Sequence, residues 1–253
     1  MRTTAPVAER VIAVLWTLSE AGNSLSLQEI AQRSHLAPST AHRLLKQLQA
    51  MGMVDQTLKR RYQPGSGLLS MGALAIGRSQ VVDTLRPLIY ETMQRLERAC
   101  ILSLYMPSRL SRVVLVHRLP TGSRFVSFDH YPQRDLVWGA TGRAILAYLN
   151  PKQIDDAIHR APPSPVNGRK AERATVLQQL SAIRGQGYGM SQGEVAPRGA
   201  AIAVPLFNGA RRVVGSLAVT EDNSRWNETT RRHFAAMLTQ QSTRLSSLLS
   251  SLS

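Results

Sequence analysis

Residues 27–52, LQEIAQRSHLAPSTAHRLLKQLQAMG, constrain this chain more than any other stretch. Two short helical patterns are joined by a tight turn, and the second is the longer and more basic. In it Ala41, Leu44, Leu45 and Leu48 recur at i, i+3, i+4 and i+7, which makes one apolar face. Ser39, Thr40, His42, Arg43, Lys46 and Gln47 fall on the other. Hydroxyls, an imidazole, cations and an amide suit a helix that grips phosphates and reaches base edges in a major groove. The stretch predicts a helix-turn-helix whose second helix begins near Ser39. Taken alone, it fits an ordinary helical hairpin with a solvated basic face equally well.

The residues that follow separate these readings. Gly52 ends the helix as a glycine beyond a C-cap does. Two short strands, around residues 53–57 and 60–63, then flank a turn that carries Lys59, Arg60 and Arg61. A basic hairpin beside a helix-turn-helix is a wing, placed to lie along a DNA backbone. The combination is far more specific than either half, and double-stranded DNA becomes the expected partner.

A chain of 253 residues suits one large or two modest domains. Its net charge of +15 is spread out: residues 1–80 hold nine cations against four anions, and residues 81–253 hold 22 against 12. Such an excess favours a polyanion partner in general without locating one. Cys100 is the single cysteine, which excludes a disulfide framework and a thiolate metal cluster and fits a reducing compartment. No signal-peptide pattern and no run near the ~18 apolar residues of a membrane helix occur. A soluble cytoplasmic protein without membrane association is the expectation.

Taken in order, residues 7–21 predict a first helix with Val11, Val14, Leu15 and Leu18 on one face. Ser26 and Glu29 have the spacing of a capping box for the next. Residues 68–78 are apolar and helical in pattern. They suit a linker helix packed on a second copy of itself or on its own second domain. Residues 83–99 predict a helix with Pro87 in its first turn. Strands are expected at 100–106, 113–119, 125–129, 188–192, 200–207 and 213–220, and helices at 141–149, from Pro151, at 170–184 and from Trp226 to about Leu249. Helices at both ends of a mostly antiparallel sheet make an α+β sensor-like domain. The expected division is residues 1–66, a linker at 67–80, and residues 81–253.

The segments EIAQRSHLAPSTAHRLLKQLQAMGMV, WGATGRAILAYL, GYGMSQGE and IAVPL stand in an order and spacing that resembles the isocitrate lyase regulator (IclR) family of bacterial transcription factors. The resemblance spans nearly the whole chain. It implies an N-terminal winged helix-turn-helix, a linker helix and a C-terminal GAF-like mixed α/β domain that binds a small organic acid. It also implies a homodimer or dimer of dimers on operator DNA. Carried over position by position, the effector site would involve Leu136 and Trp138 as walls. Ala140, Thr141 and Gly142 would form a turn with free backbone N–H groups, and Ser191, Ala201, Ala218 and Thr220 would lie on strands. Asp135 stands where proline is common in the family and Arg198 where glycine is. The shortage of polar groups among these positions favours a larger, partly apolar ligand, such as an aromatic acid.

Two other classes compete. A winged domain used for protein contacts would lack the steep salt dependence of DNA binding. An enzyme would pair Cys100 with His117, His130 or His159, but a free cysteine opening an apolar strand is usually buried and inert. The histidines lack metal-ligand spacing, so neither a metal nor a cofactor is expected and the chain does not read as an enzyme.

Overall fold

The computed structural model describes residues 6–118 and 133–251, and the chain divides into two compact units, Met1–Ser79 and Gln80–Ser253. The strand expected at residues 125–129, and His130, lie outside the described residues.

The first unit holds helices α1 (Val7–Glu20), α2 (Leu27–Arg33) and α3 (Pro38–Ala50), strands β1 (Val54–Gln56) and β2 (Tyr62–Pro64), and helix α4 (Ser66–Gly77). The capping box forms as its spacing requires. Ser26 Oγ accepts from the Glu29 N–H at 3.3 Å, and Glu29 Oε2 accepts from the Ser26 N–H at 2.7 Å. Val14, Leu18, Leu25, Ile30, Leu44, Leu45, Leu48, Val54 and Tyr62 close one small core among the three helices and the hairpin. Gly52, at φ +69°, takes the left-handed turn that lets the chain leave α3 for β1. Helix α4 buries none of its residues within this chain: Leu69, Met71, Leu74 and Ile76 are all exposed.

In the second unit a six-stranded sheet runs in the order β5-β4-β3-β8-β7-β6, and each described pairing is antiparallel. Its strands are β3 (Ala99–Met106), β4 (Ser111–Arg118), β5 (Gln133–Arg134), β6 (Gly189–Gln192), β7 (Gly199–Phe207) and β8 (Val213–Asp222). Helices α5 (Gln80–Leu96) and α9 (Glu228–Ser250) cover one face, where Cys100, Leu102, Ile202, Val204, Leu217 and Val219 meet Leu85, Ile89, Phe234 and Leu238. Helix α6 (Ala140–Leu146) lies on the other face and packs with α7 (Pro151–Arg160) and α8 (Arg173–Gln186). The architecture is α+β.

Several boundaries differ from the sequence reading, three helix starts among them. Helix α5 begins at Gln80, not Asp83, because Val82 is already core. Pro87 therefore sits two turns inside the helix and denies the Asp83 carbonyl its usual N–H partner. Helix α8 begins at Arg173, three residues late. Helix α9 begins at Glu228, where the Asn227 side chain accepts from the Thr230 N–H at 2.8 Å and sets the start.

Candidate functional site

Burial of Ala41, Leu44, Leu45 and Leu48 fixes how α3 is rolled against its core. Ser39, His42, Arg43, Lys46 and Gln47 are thereby turned to solvent, and Thr40 is half-buried. Pro38 occupies the first helical position, where its missing N–H costs no helical bond. The hairpin adds a second exposed element. Its strands pair Val54 with Pro64 and Gln56 with Tyr62, and the connecting turn is closed by Thr57 N–H to Arg61 O at 2.8 Å and Arg60 N–H to Thr57 O at 2.9 Å. Lys59 and Arg60 project freely from that turn.

Arg61, expected among the phosphate contacts, is half-buried and differs from its neighbours Lys59 and Arg60. Its guanidinium folds back into the unit, donating from Nε to Ser24 O at 2.9 Å and from Nη2 to Glu29 Oε2 at 2.8 Å. Glu29 thus serves the capping box and the root of the wing together. The Ser26 N–H first, then the Ser26 hydroxyl and the Arg61 charge, hold its carboxyl below the ordinary 4.5. Between α3 and the wing lies an open cleft. His42, Lys46 and Gln49 line one side and Gln56 and Arg60 the other, with Leu27 and Tyr62 also lining it.

The second candidate region is the sheet face under α6. Register places Ser191, Ala201, Thr220 and Ala99 side by side in one row, and Gly189, Ala203, Ala218 and Ile101 in the next. With Ser216 and Ser103 beyond them, this face is carpeted by small side chains, whereas the face toward α5 and α9 carries leucine, isoleucine and valine. Ala140 and Ala144 of α6 pack on Ala203 and Ala218, and Ser216 Oγ donates to Thr141 O at 3.0 Å. Gly142 is required by close approach, since a Cβ there would lie 2.8 Å from the Leu136 backbone. Thr220 is 6% exposed, and its Oγ1 has no hydrogen-bond partner in the structure. A buried hydroxyl left in that state keeps a donor and an acceptor unspent.

The structure brings Ala140, Thr141, Ser191, Ala201, Ala218 and Thr220 to this one region. Leu136 and Trp138, expected as its walls, sit beside α6 on the side of α7 and α8. Both pack in the cluster that α6 makes with α7 and α8, and the Trp138 indole N–H donates to Pro162 O at 2.8 Å.

Sequence reasoning missed Arg143. It is 3% exposed and holds Glu194 through two bonds, Nη1 to Oε2 at 2.5 Å and Nη2 to Oε1 at 2.7 Å. The same guanidinium donates to Met190 O at 3.0 Å and Val137 O at 3.3 Å. Glu194 Oε2 in turn accepts from the Gly139 N–H at 3.3 Å. A carboxylate of the chain itself therefore already meets the amide that leads into α6. Asp135 shapes the same turn, accepting from the Val137 and Trp138 N–H groups at 2.7 and 2.8 Å. Arg198, the other departure noted in the sequence, forms an ion pair with Asp222 at 3.0 Å.

The cysteine considered above lacks the setting of an activated thiol. Cys100 is fully buried on the α5–α9 face, and burial pushes its thiol up to about 12, so it stays protonated at neutral pH. His117 lies on β4 opposite Ile101, and His159 is in the last turn of α7. Among the described residues no cluster could hold a metal ion, and no helix is long and apolar enough to cross a membrane.

Comparison with known proteins places both regions in one lineage. Residues 7–58 match the model of the IclR helix-turn-helix domain, and residues 73–247 match that of the bacterial transcriptional regulator IclR C-terminal domain. The HTH-type transcriptional regulator XynR of Escherichia coli is 23% identical over 244 residues, 95% of this chain and 96% of its own. A crystal structure of an IclR-type regulator from Silicibacter sp. TM1040 superposes with a TM-score of 0.81 at 22% identity, covering 95% of this chain and 96% of the other. An IclR homologue from Microbacterium hydrocarbonoxydans, solved with 4-hydroxybenzoate, superposes with a TM-score of 0.72 at 17% identity over 97% and 100% of the two chains. The chain belongs to the IclR family of bacterial transcriptional regulators.

Proposed function

We propose that this regulator binds operator DNA through α3 and the wing, and that a small organic acid held on the small-residue face of the second unit controls that binding. The observation that carries the first half is the set of exposed side chains on α3, of which His42 and Lys46 line the same cleft as the wing cation Arg60. Ser39, Thr40, His42 and Gln47 approach base edges, while Arg43, Lys46, Lys59 and Arg60 hold phosphates. Arg61 acts indirectly, by fixing the wing. Residues 1–66 bind DNA, 67–80 link, and 81–253 sense.

For the second half, Ser191 and the unpartnered Thr220 hydroxyl supply polar contacts, and Ala201 and Ala218 lie beside them as apolar ones. The 4-hydroxybenzoate held by the Microbacterium relative supports an aromatic acid as the first class to try. The exposed apolar α4 supports a homodimer or dimer of dimers, and membership of a family of DNA-binding regulators supports action in the cytoplasm. Coupling between the sites would fall in the usual range of about 1–3 kcal/mol.

The test is a fluorescence titration of the full chain against DNA upstream of its own gene, with and without aromatic and short-chain carboxylates. Salt-sensitive binding shifted by one acid is expected. Arg43→Ala should lower operator affinity by roughly 10- to 100-fold, about 1–3 kcal/mol, and leave acid binding intact. Binding unchanged by every acid would remove the sensing half. Binding unchanged by Arg43→Ala would remove α3 from the interface.

A further inference from the structure

We infer that Leu58, at the tip of the wing, is an apolar probe inserted into the minor groove of the operator. The inference rests on the DNA-binding reading of α3 and takes it one groove further.

The cleft between α3 and the wing carries a cation on each side, Lys46 from the helix and Arg60 from the hairpin. A single sugar–phosphate strand suits such a seat. That strand is also the ridge that divides a major groove from the neighbouring minor groove. With α3 in the major groove on one side of the ridge, the wing stands over the minor groove on the other.

Leu58 is what the wing presents there. It is 105% exposed, well beyond any other large apolar side chain among the described residues, the next being 69%. It is not carried on a loose loop. The turn is closed by the two backbone bonds at Thr57, and Thr57 Oγ1 accepts from the Arg61 N–H at 3.2 Å. The Arg61 guanidinium then fastens the root of the wing to Ser24 and Glu29. Both neighbours on its C-terminal side, Lys59 and Arg60, are free to meet phosphates along the groove rim.

Minor-groove proteins use such an arrangement: cations hold the backbone while a leucine, isoleucine, methionine or phenylalanine wedges between base steps and kinks the duplex. The step that yields most readily is pyrimidine–purine, TA or CA, so the wing would select flank sequence by deformability and not by hydrogen bonding.

The experiment uses the full chain and a duplex enriched by it from a random-sequence pool, with 2-aminopurine scanned through the flank of the half-site. Leu58→Ala, Leu58→Gln and Lys59→Ala are compared with wild type across a salt series. Both Leu58 variants should bind roughly tenfold more weakly with an unchanged salt slope, because no charge is lost, whereas Lys59→Ala should lower the slope by about one. Wild type should raise 2-aminopurine fluorescence at one step, and the Leu58 variants should not. Wild-type affinity and fluorescence in Leu58→Ala would overturn the proposal. So would weaker binding with the fluorescence signal retained, since contact without unstacking is not insertion. If wild type enriches no duplex with salt-sensitive affinity, the DNA reading of α3 fails and the proposal falls with it.

Discussion

Helices α3 and α6 meet the same kind of problem with opposite solutions. Helix α3 buries a four-residue stripe and turns five polar side chains to solvent, so its chemistry faces outward. All seven residues of α6 are buried, and what chemistry it offers is turned inward onto a sheet. Each helix carries an arginine: Arg43 is exposed on α3, and Arg143 is enclosed on α6 with a carboxylate and two carbonyls. A projecting cation is available for function because the fold does not need it. An enclosed one has become part of the fold.

The same substitution at the two arginines would break or sharpen that contrast. Arg143→Ala strands Glu194 and leaves the Met190 and Val137 carbonyls short of a donor. We expect a loss of about 3 kcal/mol in the second unit, read from denaturant unfolding of the full chain. Arg43→Ala should stay within about 0.5 kcal/mol of wild-type stability while its operator binding falls. Similar stability losses at both sites would erase the distinction.

Within the first unit, Ser26→Ala should cost about 1 kcal/mol, read from hydrogen exchange of the α2 amides, because it removes the cap on α2. The smallest effect concerns pH. The carboxyl of Glu29 is held below its ordinary 4.5, so its contribution to stability is present above that value and fades as pH falls through the lower folded value. The stability gap between wild type and Glu29→Gln should therefore narrow on acidification below about 4.5 and stay constant above it. Amide exchange of α2 across a pH series, corrected for intrinsic rates, would measure it. A gap that widens in acid would contradict the assignment.

How legible each part was in the sequence follows from the range of the interactions involved. The α2 cap spans three residues and the α3 stripe seven, so spacing alone predicts both. The Arg143–Glu194 pair joins residues 51 apart, and an arginine in a short apolar helix carries no local sign that it will be enclosed. Arg61 looked like its neighbours Lys59 and Arg60, and only the fold back toward Ser24, 37 residues earlier, separates them. Leu136 and Trp138 were legible as apolar and near the site, but which way they point is set by α7 and α8. The two-residue β5 has no periodicity to detect. The row of Ser191, Ala201 and Thr220 was half visible: alternation predicted a shared face on each strand, and register across strands required the sheet.

The carpet of small residues under α6 gives the lineage of this protein an uneven set of options. Glycine, alanine and serine sit near the bottom of the size scale, so nearly every change at Gly189, Ala201, Ala203, Ser216 or Ala218 adds atoms. Drift on that face can crowd the space between α6 and the sheet readily and can scarcely relieve it. Enlargement would have to come from α6 moving outward, and α6 is held by Arg143 and by a glycine with no room for a methyl group. On the effector reading of that face, specificity for smaller molecules is thus one mutation away, while specificity for larger ones needs several coordinated changes. Descendants of this regulator should more often become stricter than more permissive.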